Sequence, residues 1–266
     1  MSAAINALEV NNLRCTFGGV VAVDDVSFVL PVGKLLALIG PNGAGKTTCF
    51  NMLNGQLRPD AGSIRLNGQE LVGLKSRAVW RLGVGRTYQI TATYSSMTVS
   101  ENVQMALMSH HRNLMSFVGR AATRHVNAAA ALLDRVGMLE QADRPCSVLA
   151  YGDLKRVELA IALANEPSLL LMDEPTAGMS PAERVELMAL TAQIVAERGV
   201  SVLFTEHDMD VVFQHADTVM VLDHGTLVAS GTPAAVRADT HVQAIYLGST
   251  ATDLEHNVNE SGRNDA

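Results

Sequence analysis

Apolar and polar positions alternate through much of the first thirty residues. Ala7–Leu13 and Ala22–Leu30 both read as half-buried strands, and Gly18-Gly19 separates them. Leu35–Ile39 is a wholly apolar run bounded by Gly33 and Gly40, which predicts a parallel strand covered on both faces. A glycine-rich turn follows, then a helix over Lys46–Leu53. Gly62–Leu66 and Asn67-Gly68 predict a further strand and turn. From about Thr98 to Gly137 the spacing is helical and rich in Ala, Met and Leu. Thr98-Val99-Ser100-Glu101 reads as a capping box, and Ala121–Val136 as a second helix closed by Gly137. Strand signals return at Ser168–Met172, Val200–Thr205 and Thr218–Leu222. Ser180-Pro181-Ala182-Glu183 opens a helix that runs to about Arg198 and stops at Gly199.

Strands alternating with helices predict an α/β core with a parallel sheet. The helical block, roughly 90–165, reads as an insertion into that core. Residues 249–266 are polar and aperiodic, and a disordered tail is expected there.

Composition narrows the function classes. The 266 residues carry 20 Lys plus Arg against 27 Asp plus Glu, a formal net charge of −7. Such a chain has no global attraction for nucleic acid or anionic lipid. Aromatic content of 4% argues against base-stacking surfaces and membrane aromatic belts. Cys15, Cys49 and Cys146 have neither disulfide-framework nor metal-ligand spacing, so reduced thiols are expected. The first residues show no signal-peptide pattern, and the longest apolar runs fall far short of the roughly 18 residues a spanning helix needs. A soluble chain is expected, with any membrane anchor supplied by other polypeptides.

The chemistry concentrates at two places. Gly40-Pro41-Asn42-Gly43-Ala44-Gly45-Lys46-Thr47 fits the phosphate-binding loop pattern, a match expected by chance in about one chain in a hundred of this length. Its glycines let backbone N–H groups curl around an anion at the positive end of the next helix. Lys46 can reach the β- and γ-phosphates, and the Thr47 hydroxyl can ligate Mg²⁺. Leu169–Met172 runs into Asp173-Glu174, two acids at the carboxyl end of a predicted parallel strand. There Asp173 would hold Mg²⁺, usually through water, and Glu174 would polarise an attacking water. Other polar residues have plainer readings. His110-His111 reads as a solvated helical face, the methionines near 97–115 as core, and Arg77, Arg81 and Arg86 as a solvated basic stretch.

The order Phe17, Gly40–Thr48, Gln89, Ala150-Tyr151-Gly152-Asp153, Asp173-Glu174 and His207 resembles an ATP-binding-cassette ATPase subunit over about residues 7–248. Phe17-Gly18-Gly19-Val20, Arg86-Thr87-Tyr88-Gln89, Thr98–Val103, the Tyr-Gly signature, Glu206-His207-Asp208-Met209 and Tyr246-Leu247-Gly248 are similar to the ATPases of branched-chain amino acid importers. The resemblance implies a P-loop, RecA-like α/β core with an N-terminal antiparallel β-subdomain and an inserted α-helical subdomain. Residues 7–89 and 166–248 would form the core and β-subdomain, and 90–165 the helical, signature-bearing part.

It also implies roles. Thr48 would join the loop residues on the phosphates, and Phe17 would stack on adenine. Gln89 would sense the γ-phosphate and Mg²⁺, and His207 would contact the γ-phosphate and align Glu174. Ala150, Tyr151, Gly152 and Asp153 would meet ATP held by a second ATPase subunit, the same chain or a different one, in a head-to-tail dimer. Two membrane-spanning permease subunits would carry the solute, delivered by an extracytoplasmic binding protein, with this chain at the cytoplasmic face of the inner or plasma membrane. Branched-chain or related amino acids lead as cargo. A urea or short-amide importer, a lipopolysaccharide-export system and a non-transport cassette ATPase are the alternatives. The chain departs from the common pattern at Ala150, where Ser is usual, and at Asp153 and Leu154, where Gln is usual. Leu154 is expected to be exposed or packed on a partner. Ala177-Gly178-Met179-Ser180 lacks the usual Asp.

Overall fold

The computed structural model describes residues 5–87, 93–110 and 125–246. Among the described residues ten strands form two sheets. β1 (Asn6–Phe17), β2 (Val20–Pro31), β4 (Ala61–Leu66) and β5 (Gln69–Glu70) make an antiparallel sheet in the order β2-β1-β4-β5. β3 (Leu35–Ile39), β6 (Val84–Thr87), β7 (Leu169–Asp173), β8 (Ser201–Thr205), β9 (Thr218–Asp223) and β10 (Thr226–Gly231) make the central sheet, in the order β10-β9-β3-β8-β7-β6. Only β10 pairs antiparallel within it.

The central strands are apolar without interruption because both faces are covered. Leu35, Ala37 and Ile39 of β3 face one core cluster, while Leu36 and Leu38 face the other. β7, β8 and β9 divide their side chains the same way. One cluster lies under α3 (Val99–His110), α4 (Val126–Arg135), α5 (Tyr151–Leu163), α6 (Pro181–Arg198), α7 (Met209–His215) and α8 (Pro233–Ala238). The other joins the central sheet to the antiparallel sheet, with α1 (Lys46–Leu53) and Val79 of α2 (Ser76–Arg81) between them.

Local chemistry sets the helix ends. Thr98 and Glu101 form the expected capping box: the Thr98 N–H donates to Glu101 Oε2 at 2.8 Å, and the Glu101 N–H to Thr98 Oγ1 at 3.2 Å. Ser180 and Glu183 do the same for α6, which ends at Gly199 in the left-handed conformation. α1 occupies the predicted residues. The first hairpin is longer than alternation predicts, with a turn at Gly18-Gly19. Left-handed Asn12 (φ 48°) and Asp25 (φ 54°) accompany breaks in its register, which disrupt the period of two in the sequence. The three cysteines are buried and free, and burial pushes the Cys49 thiol up to about 12. The expected tail at 249–266 and the start of the 121–136 helix lie outside the described residues.

Candidate functional site

β3, β8 and β7 are adjacent and parallel, so their carboxyl ends bring three segments together: the loop after Ile39, Thr205–His207, and Asp173-Glu174. The loop is wrapped too tightly for side chains at two positions. A Cβ on Gly40 would lie 2.1 Å from the Leu222 carbonyl oxygen, and one on Gly45 would lie 2.4 Å from that of Ala22. Gly45 caps α1 without a side-chain hydrogen bond, and the first amides of a helix have no intrahelical acceptor. Those at Lys46, Thr47 and Thr48 therefore line a cleft of about 210 Å³, shared with Asn42, Glu174 and His207. Lys46 is 8% exposed, and its Nζ donates to the carbonyls of Gly40 at 2.6 Å and Pro41 at 3.0 Å. Burial pushes its ammonium below the ordinary value, while Glu174 and Asp173 pull it back. Gly40→Ala should lower stability by about 3 kcal/mol, because a carbonyl of a core strand must move. Urea unfolding at constant m-value checks this.

Asp173 ends β7. Its Oδ1 accepts from the Thr205 hydroxyl at 2.9 Å, and its Oδ2 lies 3.3 Å from the Arg86 guanidinium. The Arg86 and Asp173 side chains are 8% and 13% exposed, so Arg86 is an inward-facing ion-pair member and the solvated basic reading fails for it. Glu174 adopts φ 48°, a left-handed conformation that costs a non-glycine residue about 1 kcal/mol or more. Its N–H is held by the Thr205 carbonyl at 3.2 Å and hydroxyl at 3.1 Å. The turn aims Glu174 at His207, whose Nε2 lies 2.9 Å from Oε1 of Glu174.

Beneath His207 sits Glu206, 4% exposed, accepting from the Thr176 amide at 2.8 Å and hydroxyl at 2.7 Å. It braces the turn after Glu174 against the end of β8. Burial pushes its carboxyl up, and the Thr176 and His207 donors offset this only in part. A carboxyl raised in the folded state contributes stability below its unfolded value and loses it as pH rises through the folded one. Glu206→Gln keeps an acceptor for Thr176 and removes the titration. The variant should gain on the parent as pH climbs from 4 to 8, measured by urea unfolding. Next to it, Asp208 caps α7. Burial pushes its carboxyl up, but the Val211 and Asp210 amides and Arg184 hold it below the usual range.

The predicted site residues are thus brought together, with three qualifications. Phe17 is 50% exposed at the tip of the first hairpin, so it is not a core aromatic. Ala150–Asp153 open α5 and do not line the cleft of the phosphate loop. Ala150 caps the helix without a side-chain bond, Tyr151 is 41% exposed, and its ring packs on Gly178. Gln89 lies outside the described residues. Leu154 is half-buried against the helical core cluster, so the expectation of a fully exposed leucine is corrected. His110 stacks edge-on against Trp80 with ring centroids 5.6 Å apart, which corrects the solvated reading for that residue.

Among the described residues no three His, Cys, Asp or Glu converge as a metal cage. Magnesium suits the site even so, since it takes one or two protein oxygens and fills its shell with water and phosphate. Thr47 in the cleft and the remaining lone pairs of Asp173 fit that role.

A family profile described as "ABC transporter" matches residues 23–177, more than half of the chain. The chain belongs to the ATP-binding-cassette transporter family. It is an ATPase of that family. A second profile, "Branched-chain amino acid ATP-binding cassette transporter", matches residues 226–252. The cassette is 41% identical over 251 residues to the high-affinity branched-chain amino acid transport ATP-binding protein LivG of Escherichia coli K12, covering 91% of this chain and 97% of LivG. It is 39% identical to BraF of Pseudomonas aeruginosa at the same coverage. Its fold matches the ADP conformation of MJ1267, an ATP-binding cassette of an ABC transporter, with TM-score 0.82, 28% identity, and 91% and 99% of the two chains covered. No helix among the described residues is long and apolar enough to cross a membrane.

Two residues of this cassette site lie in the importer-like stretches Arg86–Gln89 and Glu206–Met209, but the sequence assigns them no role. Arg86 is a lone charge in a short strand, and Glu206 becomes a buried carboxylate only when Thr176, 30 residues away, folds onto it. A third, Tyr246, belongs to the terminal Tyr-Leu-Gly and lies within the second profile. Its phenol is buried against the Gly40 backbone, at the first residue of the phosphate loop. Burial pushes it well above the ordinary tyrosine value, and the Gly40 contact draws it only partly back.

Proposed function

We propose that this chain is the ATP-hydrolysing subunit of an importer for branched-chain amino acids, acting on separate membrane-spanning subunits. The match to LivG and BraF over nine-tenths of the chain, extending into the segment that seats Tyr246 on the phosphate loop, carries this reading. The division into a core at 7–89 and 166–248 and a helical part at 90–165 follows it.

In the proposed reaction the loop amides and Lys46 hold the β- and γ-phosphates, and Phe17 stacks on adenine. Glu174 orients a water and takes its proton as the water oxygen bonds to the γ-phosphorus. The bond to the bridging oxygen breaks, releasing ADP and phosphate. His207 holds the Glu174 carboxylate in line. Mg²⁺, held by Thr47, Gln89 and Asp173, would neutralise charge on the phosphate oxygens. A second ATPase subunit would present its own counterpart of Ala150–Asp153 to this ATP, where helix N–H donors meet the γ-phosphate.

A groove of about 290 Å³ lined by Asn54, Ser76, Arg77, Trp80, Arg86 and Ser109 would receive a cytoplasmic helix of a membrane subunit. Affinity purification from detergent-solubilised native membranes tests the whole reading. Two multi-spanning proteins should co-purify, and deleting the gene should abolish uptake of labelled leucine. Recovery with ribosomal or DNA-bound partners alone, or unchanged uptake, would overturn it.

A further inference from the structure

Arg86 joins β6, β7 and the segment of α1 and Gln56 through one side chain. On β6 it pairs in register with Leu171 of β7, two residues before Asp173. One guanidinium nitrogen, Nη2, reaches Asp173 at 3.3 Å; the other, Nη1, donates to Asn51 of α1 at 2.9 Å and to Gln56 just beyond α1 at 3.2 Å. The guanidinium carbon sits 5.9 Å from the Phe50 ring centroid. The same side chain forms part of the wall of the 290 Å³ groove. A planar fork anchored in this way is far stiffer than a lone carboxylate, whose oxygens rotate freely. Its positive charge also balances Asp173 in a site where both side chains are largely withdrawn from water.

We propose that Arg86 is a positioning residue that fixes the Asp173 carboxylate for magnesium and ties it to the membrane-subunit helix seated in the groove. Asp173 keeps one oxygen on Thr205 and one on Arg86, which sets its plane and leaves lone pairs for the waters of the ion. A helix pressing on the groove wall bears on Arg86 and through it on Asp173, so docking and phosphate chemistry share one side chain. The second half of this proposal rests on the importer reading above.

The test measures ATP affinity by calorimetry with magnesium and with EDTA, for the parent, Arg86→Lys, Arg86→Ala and Asn51→Ala. Outer-sphere partners of a metal ligand are worth about 10–100-fold in metal affinity. Arg86→Ala should therefore lose about tenfold or more of the magnesium-dependent gain in ATP affinity, with affinity in EDTA little changed. Arg86→Lys keeps the charge and loses the fork, and Asn51→Ala frees one side of the fork. Both should show a smaller loss in the same direction, which a purely folding defect would not produce. A magnesium-dependent gain equal to the parent's in both Arg86→Lys and Asn51→Ala would overturn the proposal, whether or not Arg86→Ala folds. In the detergent-solubilised assembly, Arg86→Lys should still co-purify with membrane subunits but lose their stimulation of ATP turnover; retained stimulation overturns the tie to the groove. If no membrane subunit binds the parent, the importer reading fails while the magnesium result still decides the role of Arg86.

Discussion

Lys46→Ala leaves the folded chain unable to hold ATP. The Lys46 ammonium is buried at the first position of α1, within hydrogen-bond reach of two loop carbonyls and under the field of Asp173 and Glu174. Removing it deletes a side-chain cation positioned among the loop amides in the cleft. Truncating one partner of a buried, hydrogen-bonded charge contact costs about 2–5 kcal/mol, or roughly 30-fold to several thousand-fold in affinity. Calorimetric titration with Mg²⁺-ATP should show no saturable heat at micromolar to low-millimolar nucleotide. Thermal unfolding without nucleotide should stay close to the parent's, because the substitution opens no core cavity. An affinity within threefold of the parent's would remove the loop from its phosphate-binding role.

Glu174→Gln separates binding from chemistry. Gln has the shape of Glu and can still meet His207, but it accepts no proton. A positioned general base contributes about 10²–10⁴-fold, so the rate of phosphate release should fall by at least about a hundredfold while ATP affinity stays within a few-fold of the parent's. With hydrolysis slowed, ATP-bound dimers should accumulate, visible as an ATP-dependent shift to twice the mass in size-exclusion chromatography with light scattering. Turnover at the parent's rate would remove Glu174 from the role of base. The left-handed backbone at Glu174 adds a second expectation. Glu174→Gly should match the loss of activity yet be no less stable than Glu174→Gln, since glycine bears no cost at φ 48°.

Much of this was legible in the chain because the features are local. The phosphate loop must have glycine where Leu222 and Ala22 carbonyls press against it, so the residue types themselves report the geometry. α1 and α6 could be placed closely because their ends are set by residues within one turn. Strands β3, β7, β8 and β9 announce themselves because both faces are buried. The unpredicted parts depend on distant partners. β6 has no apolar run, since Gly85 makes room for the Ala162 carbonyl and Arg86 turns to Asp173, 87 residues on. β10 is only half-buried along the sheet edge, and its pattern fades accordingly. His110 looks like a surface residue until Trp80 is brought against it. Nothing within a window of ten or fifteen residues carries that information.

The order of the central sheet has a consequence for how the polypeptide is made. β3 lies between β8 and β9, with Leu36 opposite Leu203 on one side and Thr218 on the other. A ribosome adding about 5–20 residues per second reaches Val221 roughly 10–40 seconds after it has made Ile39. For most of that interval, until β8 is made, the most hydrophobic strand of the nucleotide site has neither neighbour, and β9 joins only at its end. The first hairpin can close early, because β1 and β2 are joined by two glycines, and it can shelter one face of β3. The edges stay open until the last third of the chain emerges. Slowing translation late in the message should therefore raise the aggregated fraction of newly made protein, whereas the same pause inside the first sixty codons should not.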